Sequence, residues 1–448
     1  MDRKLLITAG PGEWRAALLE ESIPVELFVE RGDRSESGSV HLGRVVRLLP
    51  ALAAALVDIG DHRPAFLPLA EVLWRGKRLH EGERVVVQIR REAQAGKAAR
   101  VTMAATLRGR LVELRLGRTG LIGGEMLSEG QQSQLSTALD DTGIRIIESA
   151  PVDALADEVT ALAQRWQDML DRASRLDPPA RLDPVASFAA ALARSMPRAP
   201  DEIFVNDPAA IPEIRAAFPD NTIVHHPETD WPIDLDAAFD EALSATLALP
   251  GGGSVHFEAT RAGMLIDVDT GTPETGSPGG PGLTANLAAA GVIARQIRLR
   301  NLGGGIVVDL VGLDSRSGRD RVRAALAAAI VPDPADPQLL GWTRLGHFEL
   351  VRPRRGRPLA EALLVPRSGG VLVKTAVTVA HEALRALRRE ARAQPGRQWH
   401  LIVAPDVAAV LAGAAADAVR EAERRFARAI VIEADSGYDR EQFQISGL

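Results

Sequence analysis

Hydrophobic and polar positions change their spacing several times along this chain, so the pattern predicts several kinds of element. Residues 3–30 predict a strand, a helix over EWRAALLEE and a second strand over VELFVER. From Gly38 to residue 104 the pattern changes to about five short strand-like runs separated by tight turns. Five short strands in this length are typical of a small closed barrel of the OB type, which often binds RNA, or of a generic β-barrel.

Helical spacing becomes more frequent after the barrel-like segment. Asp153–Leu176 predicts a long helix that ends before the prolines of DPPARLDP. Residues 202–246 predict alternating strands and helices, and the chain from about residue 360 predicts a final α/β section. The whole pattern indicates an α/β protein of several domains.

Two short β-branched runs, Met264–Ile266 and Ile306–Val308, predict buried strands, and a helical pattern lies between them. The first run is followed by Asp267 and Asp269, and the second by Asp309. A strand–helix–strand crossover places neighbouring strand ends together, where carboxylates can hold Mg²⁺ for phosphodiester chemistry. Aspartates at strand ends also commonly cap the loops that follow, and the pattern alone leaves both interpretations open.

The helix between these strands carries Arg295, Arg298 and Arg300, and a second arginine cluster lies at residues 352–357. The three arginines of the helix either meet phosphate near the aspartates or form a solvated face, and the second cluster lies beyond the second aspartate strand. The formal net charge of −6 argues against a generally basic coat for nucleic acid but allows local basic patches.

Composition excludes several classes of functional site and bounds the number of domains. At 448 residues the chain is long enough for about three domains. It has no cysteine, which excludes disulfides, thiolate nucleophiles and cysteine-ligated zinc, and its nine histidines lack HExxH spacing. Charges interrupt every apolar run before 18 residues, and the N-terminus lacks a signal-peptide pattern, so we expect a cytoplasmic protein without a membrane span.

Several segments in order resemble the ribonuclease E/G family, and the similarity runs over nearly the full chain. They include LPGGGSVHFEAT, LIDVDTG, NLAAAGVIARQIRLRNLGGGIVVDLV, GWTRLGHFELVR and VKTAVTVAHEALRALRRE. In length the chain is closer to the short ribonuclease G branch. The resemblance implies an RNase H-like fold in two segments (1–35 and 196–248), interrupted by an OB-fold RNA-binding domain (36–104) and a degenerate 5′-sensor-like region (105–195). A DNase I-like catalytic domain (249–360) and a small C-terminal α/β domain (361–448) are expected to follow.

The same resemblance implies a Mg²⁺-dependent endoribonuclease that cleaves single-stranded RNA with metal-activated water, in RNA processing or decay. One ion is expected on Asp267 and Asp309. The family usually has asparagine where this chain has Asp269, which adds a negative charge and keeps an oxygen acceptor. In the OB domain, Phe66 matches an RNA-stacking aromatic, and Arg91 and Lys97 match basic positions. Arg344 is expected to flank the RNA path.

Three departures accompany the match. Leu56 stands where the family has a second stacking aromatic. Glu148 and Ser149 stand where an Arg–Thr pair grips a 5′-monophosphate, so we expect weak or absent 5′-monophosphate sensing, although Arg145 lies nearby. The positions of two zinc-link cysteines are Val365 and Ser368, which excludes a zinc-bridged dimer and leaves open a homodimer through the C-terminal domain.

These departures favour an alternative interpretation, in which the chain is a non-catalytic RNA-binding protein on the same scaffold. A metal nuclease acting on DNA is a third interpretation, less favoured because the barrel resembles an RNA reader. The sequence assigns no general acid or base, because no His or Lys is tied to the aspartates by spacing.

Overall fold

The protein is a mixed α/β chain with several sheets and a closed barrel. Its computed structural model describes residues 2–32, 37–73, 78–93, 98–125, 127–136, 142–271, 280–313, 315–367 and 370–447. The chain divides into two compact units. The first contains Met1–Asp33, Pro200–Pro212 and Asp220–Leu448, and the second contains Arg34–Ala199 and Glu213–Pro219. Within the described ranges no helix is both long enough and apolar enough to cross a bilayer.

Strands predominate before residue 200. They are β1 (Arg3–Gly10), β2 (Glu13–Glu20), β3 (Ile23–Glu30), β4 (Val40–Leu49), β5 (Ala54–Asp58), β6 (Ala65–Pro68), β7 (Arg84–Arg91), β8 (Arg100–Thr102), β9 (Thr106–Arg108), β10 (Val112–Leu116), β11 (Leu121–Ile122), β12 (Thr142–Ile146) and β13 (Ala180–Arg181). The helices are α1 (Glu129–Ser136), α2 (Val152–Arg175) and α3 (Phe188–Ser195).

After residue 200 strands and helices alternate. The strands are β14 (Glu202–Val205), β15 (Thr222–His225), β16 (Thr246–Ala248), β17 (Ser254–Ala259), β18 (Met264–Asp269), β19 (Gly304–Asp309), β20 (Gln338–Trp342), β21 (Phe348–Arg352), β22 (Leu364–Pro366), β23 (Leu372–Lys374), β24 (Trp399–Val403), β25 (Ile430–Ala434) and β26 (Phe443–Gly447). The helices are α4 (Ile211–Ala217), α5 (Leu235–Leu243), α6 (Pro281–Leu299), α7 (Arg316–Ile330), α8 (Leu359–Leu363), α9 (Ala376–Ala393), α10 (Pro405–Ala412) and α11 (Ala416–Phe426).

The second unit contains the barrel. Its strands pair in the order β4, β5, β6, β8 and β7, and β4 pairs with β7 to close it. Val45, Val57, Leu67, Val85 and Val101 fill the interior. Every other position of a strand faces that interior, which is why the alternation predicted the barrel correctly.

A smaller sheet in the same unit, ordered β11, β12, β10 and β9, packs against α2. Leu155, Val159, Leu162 and Met169 recur at helical spacing and form the buried stripe of α2. The predicted helix Asp153–Leu176 therefore differs by one residue at each end from the observed helix.

The first unit begins with a sheet ordered β15, β14, β1, β2 and β3. The helix predicted over EWRAALLEE is wrong, because this segment forms β2 between β1 and β3. Ala16–Leu19 are fully buried, since both faces of this central strand are covered. Ala, Leu and Glu favour a helix locally, and burial between two neighbouring strands overrides that preference.

A second sheet of the first unit is ordered β16, β17, β18, β19, β21 and β20. β18 and β19 are parallel neighbours, and α6 connects them as the crossover pattern predicted. The buried residues Ile266, Val268, Ile306 and Val308 share one core with side chains of α6 and α7. The helices therefore cover one face of this sheet.

The chain ends in a three-stranded sheet ordered β25, β24 and β26, which shares a core with α9, α10 and α11. The final α/β section predicted from about residue 360 is confirmed. The spacing of the buried residues Ala418, Val419 and Ala422 is the signal that identifies α11.

A buried ionic cluster joins α9 to the first sheet. Glu13 forms ion pairs with Arg31, Arg385 and Arg15. Burial raises the pKa of Glu13, but these three cations outweigh burial and lower the pKa to about 2. His381 lies beside them, and mainly because of burial its pKa is lowered to about 4.

Candidate active site and nucleic-acid interface

One row of polar residues crosses the sheet that carries the aspartates. Thr246 pairs with His256, His256 with Asp267, and Asp267 with Asp309. At the other end of the row, the His347 Nε2 atom lies 3.7 Å from the Asp309 Oδ1 atom. Residues opposite one another on adjacent strands share a face, so the two aspartates lie between two histidines.

This row lies on the open face of the sheet. Asp267, Asp269 and Asp309 are exposed. Their neighbours along the two strands, Ile266, Val268 and Val308, are buried in the core that includes α6 and α7. The side chain of Asp309 is 63% exposed despite its contact with His347. Alternation along β18 and β19 thus places the apolar side chains in the core and the carboxylates in solvent.

Asp269 lies two positions beyond Asp267 and on the same face. Its Oδ1 atom accepts a hydrogen bond of 2.9 Å from the Gly271 N–H, which is the local turn that aspartate commonly makes. Gly253 passes so close that a Cβ atom there would lie 2.2 Å from the Asp269 carbonyl oxygen. Asp269 therefore shapes the loop after β18.

The two histidines of the row were not found from the sequence. His256 lies next to Asp267 across the β17–β18 pair and bonds Thr246 Oγ1 through Nδ1 at 2.8 Å. His347 precedes β21 and is separated from Asp309 by the whole of α7 and β20. Only the strand register brings these residues together, so their spacing in the chain carries no signal.

Within the described ranges no group of three or more His, Asp or Glu side chains is arranged to hold a metal ion. Asp267 and Asp309 are two adjacent exposed carboxylates on a rigid sheet. Mg²⁺ commonly binds proteins through one or two carboxylates and takes its remaining ligands from water and substrate phosphate. The two aspartates fit that requirement.

The arginines predicted on α6 are not available to a ligand on the open face of the sheet. Arg295 pairs with Glu241, and Arg298, which is buried, donates a hydrogen bond of 2.9 Å to Glu26. Arg300 is also buried. The expectation of a phosphate-binding or solvated arginine face on this helix is wrong, because these guanidinium groups bind acidic residues inside the unit or are buried there.

Asn286 has a structural role near the site. Its side chain is fully buried, donates to the Val311 carbonyl oxygen at 2.8 Å and accepts from the Val311 N–H at 3.0 Å. This pair of hydrogen bonds ties the chain just beyond Asp309 to α6. Asn286 lies inside α6, whose first residue is Pro281.

The hairpin between β20 and β21 carries Arg344, which is exposed three residues before His347. In the described part of the chain Arg344 has no hydrogen bond or ion pair. Arg352, from the second arginine cluster, is instead buried and donates to Asp333 at 2.6 Å. Of these two arginines, Arg344 is therefore the one available to a ligand.

A second polar row runs across the outside of the barrel. Strand register joins Arg47 to Leu56, Leu56 to Phe66, Phe66 to Arg100, and Arg100 to Arg91. Phe66 is partly exposed and the three arginines are exposed. The row is a cationic strip centred on one aromatic ring.

The sequence singled out Phe66 and Arg91 in this row but missed Arg47 and Arg100. Among the described residues Arg47 and Arg91 make no ion pair, while Arg100 forms an exposed pair with Glu71 at 2.9 Å. Lys97, the other basic position expected here, lies outside the described residues.

The sensor-like positions Glu148 and Ser149 follow β12. The Glu148 N–H donates to the Leu111 carbonyl oxygen at 3.3 Å, which places this segment beside the start of β10. Arg145 is exposed within β12. Glu148 thus contributes a negative charge to this region.

A carboxylate already occupies the backbone donors of the same region. Glu158 on α2 accepts hydrogen bonds from the N–H groups of Arg110, Leu111 and Val112, at 2.8, 2.6 and 2.8 Å. A Cβ atom on Gly109 would lie 2.5 Å from the Glu158 Cδ atom, so the carboxylate fits closely against this turn. Successive backbone N–H groups of this kind form an anion site, and here the anion is Glu158.

Comparisons with known proteins match this chain over lengths from just under half to 99% of its residues. A sequence profile of the Ribonuclease E/G family matches residues 144–355, which include β18, α6 and β19. The chain is 27% identical to Ribonuclease G of Salmonella typhimurium and 26% identical to Ribonuclease G of Escherichia coli K12, over 99% of both chains in each case. It is 30% identical to Ribonuclease E of a Nostoc species over 80% of this chain and 57% of that protein. Since the match to Ribonuclease E is 30% identical over 80% of this chain, and the profile match includes both aspartate-bearing strands, the chain belongs to the ribonuclease E/G family.

Proposed function

We propose that this chain is an endoribonuclease that cleaves single-stranded RNA in RNA processing or decay. The observation that carries the proposal is the register pairing of Asp267 with Asp309 on an open sheet face. The named relatives of the chain are ribonucleases G and E. Family membership and an exposed pair of carboxylates at neighbouring strand ends support the same reaction class.

In this proposal one Mg²⁺ ion is held by Asp267 and Asp309. When bound, the ion supplies a Lewis acid that activates water and neutralises charge on the attacked phosphate. Asp269 supports the site by fixing the loop after β18 through its hydrogen bond to Gly271. Asn286 supports it from the other side by fixing the chain after β19.

The residues around the aspartates orient the RNA. Arg344 is an exposed cation on the neighbouring hairpin and binds a backbone phosphate. His256 and His347 border the aspartate pair, so each lies within reach of an RNA strand that contacts the carboxylates. The apolar core beneath the sheet keeps both strand ends rigid, which favours catalysis by positioning.

We propose that the barrel is an OB-type RNA-binding domain whose interface is the row of Arg47, Phe66, Arg91 and Arg100. Phe66 stacks on a base and the arginines follow the backbone, as single-strand binders commonly do. Leu56 provides no aromatic platform opposite Phe66. A missing platform of this kind weakens binding by about 1–3 kcal/mol per base. Lys97, which lies outside the described residues, stays an RNA-binding candidate on the family resemblance alone.

We propose weak or absent 5′-monophosphate sensing. A phosphate approaching Glu148 meets a negative charge, and the backbone donors of residues 110–112 already bind the Glu158 carboxylate. Displacing that carboxylate costs three charge-assisted hydrogen bonds before any phosphate is bound. Cleavage then begins at internal sites regardless of the 5′ end.

The domain assignment belongs to the same proposal. The pairing of β1 with β14 supports an RNase H-like domain interrupted by the second unit, and β16–β21 with α6 and α7 support a DNase I-like catalytic domain. We also propose a homodimer through the small C-terminal domain without a zinc bridge. Val365, Val371 and Leu372 are exposed apolar residues on and beside the β22–β23 hairpin. Ser368 lies outside the described residues.

The test is incubation of a labelled, unstructured RNA with the purified protein and Mg²⁺, beside an Asp267→Asn/Asp309→Asn double variant. Glu258→Gln is the matched control, because Glu258 is an exposed carboxylate on β17 outside the polar row. Internal cleavage by the wild type and by Glu258→Gln, but not by the double variant, supports the nuclease. Equal RNA binding without cleavage in all three proteins favours the non-catalytic RNA-binding protein. A matched DNA oligonucleotide tests the choice of nucleic acid.

A further inference from the structure

A cavity of about 440 Å³ lies in the first unit, away from the aspartate row. It is lined by the C-terminal half of α9, the segment that leads into β24, the end of α11 and the turn after β14. Four arginines line it, Arg388, Arg392, Arg397 and Arg425, and Asp207 is the acidic residue among the lining side chains. Ligand sites commonly have volumes of about 300–1,000 Å³.

Two of the arginines are neutralised by carboxylates. Arg425 forms ion pairs with Asp207 and with Glu421. Arg388 forms an ion pair with Glu228 and donates a hydrogen bond of 2.6 Å to a backbone carbonyl. These contacts hold both guanidinium groups in place at the wall of the cavity.

The other two are not neutralised. Arg392 is exposed and donates to the Asn206 carbonyl oxygen at 3.1 Å, which carries no formal charge. Arg397 is exposed and has no hydrogen bond or ion pair in the part of the chain that the structure describes. A Cβ atom on Gly447 would lie 2.7 Å from the Arg397 Cδ atom, so the stem of Arg397 packs on the Gly447 backbone. The cavity therefore presents two positive charges without carboxylate partners.

Arg388, at the wall of the cavity, has a buried hydrogen-bond donor without a partner among the described residues. The residue is only 3% exposed, and the donor is its Nε atom. Burial lowers the pKa of Arg388 to about 10, and although Glu228 opposes the change, the charges of Arg392 and Arg425 add to it. An anion in the cavity would relieve the repulsion among these guanidinium groups.

The cavity also has apolar and aromatic walls. Phe426 and Trp399 line it together with Ala391 and Pro395. A cluster of guanidinium forks suits the oxygens of a phosphate, and an aromatic wall suits a planar base. A free phosphate or sulfate would use only the first of these features.

We propose that this cavity binds a nucleoside phosphate, with the phosphate on Arg392 and Arg397 and the base against the Phe426 side. The ligand is either a free mononucleotide or the 5′-terminal nucleotide of an RNA chain, since both present the same phosphate monoester and base. The inference rests on the cavity alone and holds whether or not the aspartate row cleaves RNA.

Isothermal titration calorimetry of the full chain in EDTA tests it, with AMP, adenosine and inorganic phosphate as separate probes. The diagnostic variant is Arg392→Gln/Arg397→Gln, whose side chains are exposed and leave the core unchanged. Arg420→Gln is the matched control, because Arg420 is an exposed arginine of α11 outside the cavity lining. Thermal unfolding of both variants checks that they are folded.

AMP is expected to bind the wild type and Arg420→Gln equally, and the double variant at least about tenfold more weakly. Adenosine and inorganic phosphate are each expected to bind more weakly than AMP. Absence of AMP binding, or equal AMP binding by the double variant, overturns the proposal. Phosphate binding as tight as AMP binding overturns the nucleoside component.

A pair of short RNAs identifies the source of the ligand. A 5′-phosphorylated dinucleotide that binds as AMP does, and weakens in the double variant, supports an RNA 5′ end. Binding of AMP together with failure of the 5′-phosphorylated dinucleotide supports a free nucleotide. A 5′-hydroxyl dinucleotide that binds through the same arginines as tightly as AMP contradicts recognition of the phosphate monoester.

Discussion

Asp267 and Asp309 occupy paired positions at the ends of two neighbouring parallel strands. The helix α6 that connects these strands covers the opposite face of the sheet, so both carboxylates lie on the open face. His256 and His347 border the pair within the same row. This arrangement is acidic and exposed to solvent.

Removing either carboxylate is expected to weaken Mg²⁺ binding without reducing the stability of the fold, because both side chains are exposed. In Asp267→Asn and in Asp309→Asn we expect RNA cleavage to fall by at least about 100-fold, since each removes one charged ligand of the proposed Mg²⁺ site. The Mg²⁺ concentration for half-maximal cleavage should rise in each. Titration of cleavage against Mg²⁺ measures both effects, and Glu258→Gln should behave as the wild type does. Unchanged Mg²⁺ dependence in both aspartate variants would contradict the assignment.

Asn286→Ala is expected to destabilise the protein by about 1–3 kcal/mol, because the Val311 N–H and C=O lose their buried partner. It should also reduce cleavage under conditions where circular dichroism shows a folded protein, since the chain after Asp309 is no longer tied to α6. Urea unfolding and cleavage rates measure the two effects. Full activity in a destabilised variant would limit Asn286 to a structural role.

Phe66→Ala is expected to weaken single-stranded RNA binding by about 1–3 kcal/mol, the usual range for loss of one stacking ring. Leu56→Phe should tighten binding, because residue 56 lies directly opposite Phe66 and would supply a second ring. Fluorescence anisotropy with a labelled oligonucleotide measures both changes. Ile122→Ala, an exposed apolar residue of the same unit outside the barrel, is the control. If Phe66→Ala binds RNA as tightly as this control does, the barrel row is not the RNA interface.

The 5′ end of the substrate is expected to have little influence on the wild type, so 5′-phosphate and 5′-hydroxyl RNAs should be cleaved at similar rates. The double variant Glu148→Arg/Glu158→Gln removes two negative charges and adds a cation beside the backbone donors of residues 110–112. We expect it to gain a preference for 5′-phosphate RNA, which competition between the two RNAs measures. A strong 5′-phosphate preference that persists in Arg392→Gln/Arg397→Gln would show that Glu158 does not block these donors.

Acid is expected to destabilise the first unit in two stages. The folded pKa of His381 is about 4, below its ordinary value of 6.5, so its contribution to stability is present above pH 6.5 and is lost between pH 6.5 and 4. The folded pKa of Glu13 is about 2, below 4.5, so its contribution is lost as the pH falls through the range from 4.5 to 2. Urea unfolding midpoints between pH 8 and pH 4 measure the first stage.

His381→Gln should flatten the fall in stability between pH 6.5 and 4, because a glutamine does not take up a proton in that range. The exposed His62→Gln is the control and should retain the slope of the wild type. An unchanged slope in His381→Gln would assign the acid sensitivity to other groups.

The sequence by itself determined the features that depend on local periodicity. The barrel strands, α2, and the strand–helix–strand segment that carries Asp267 and Asp309 were all predicted, because side-chain alternation within one element is a property of adjacent residues. The two aspartates were recognised because they end apolar runs and match a family pattern.

Tertiary structure decided everything that depends on which elements become neighbours. It made EWRAALLEE a strand that pairs with β1 and β3. Burial of this strand on both faces outweighs the helical preference of Ala and Leu. It brought His256 and His347 to the aspartates, Arg47 and Arg100 to Phe66, and Glu158 to the turn before β10. Strand register and helix packing join residues far apart in the chain, and their energies are set by burial and pairing that no local pattern contains.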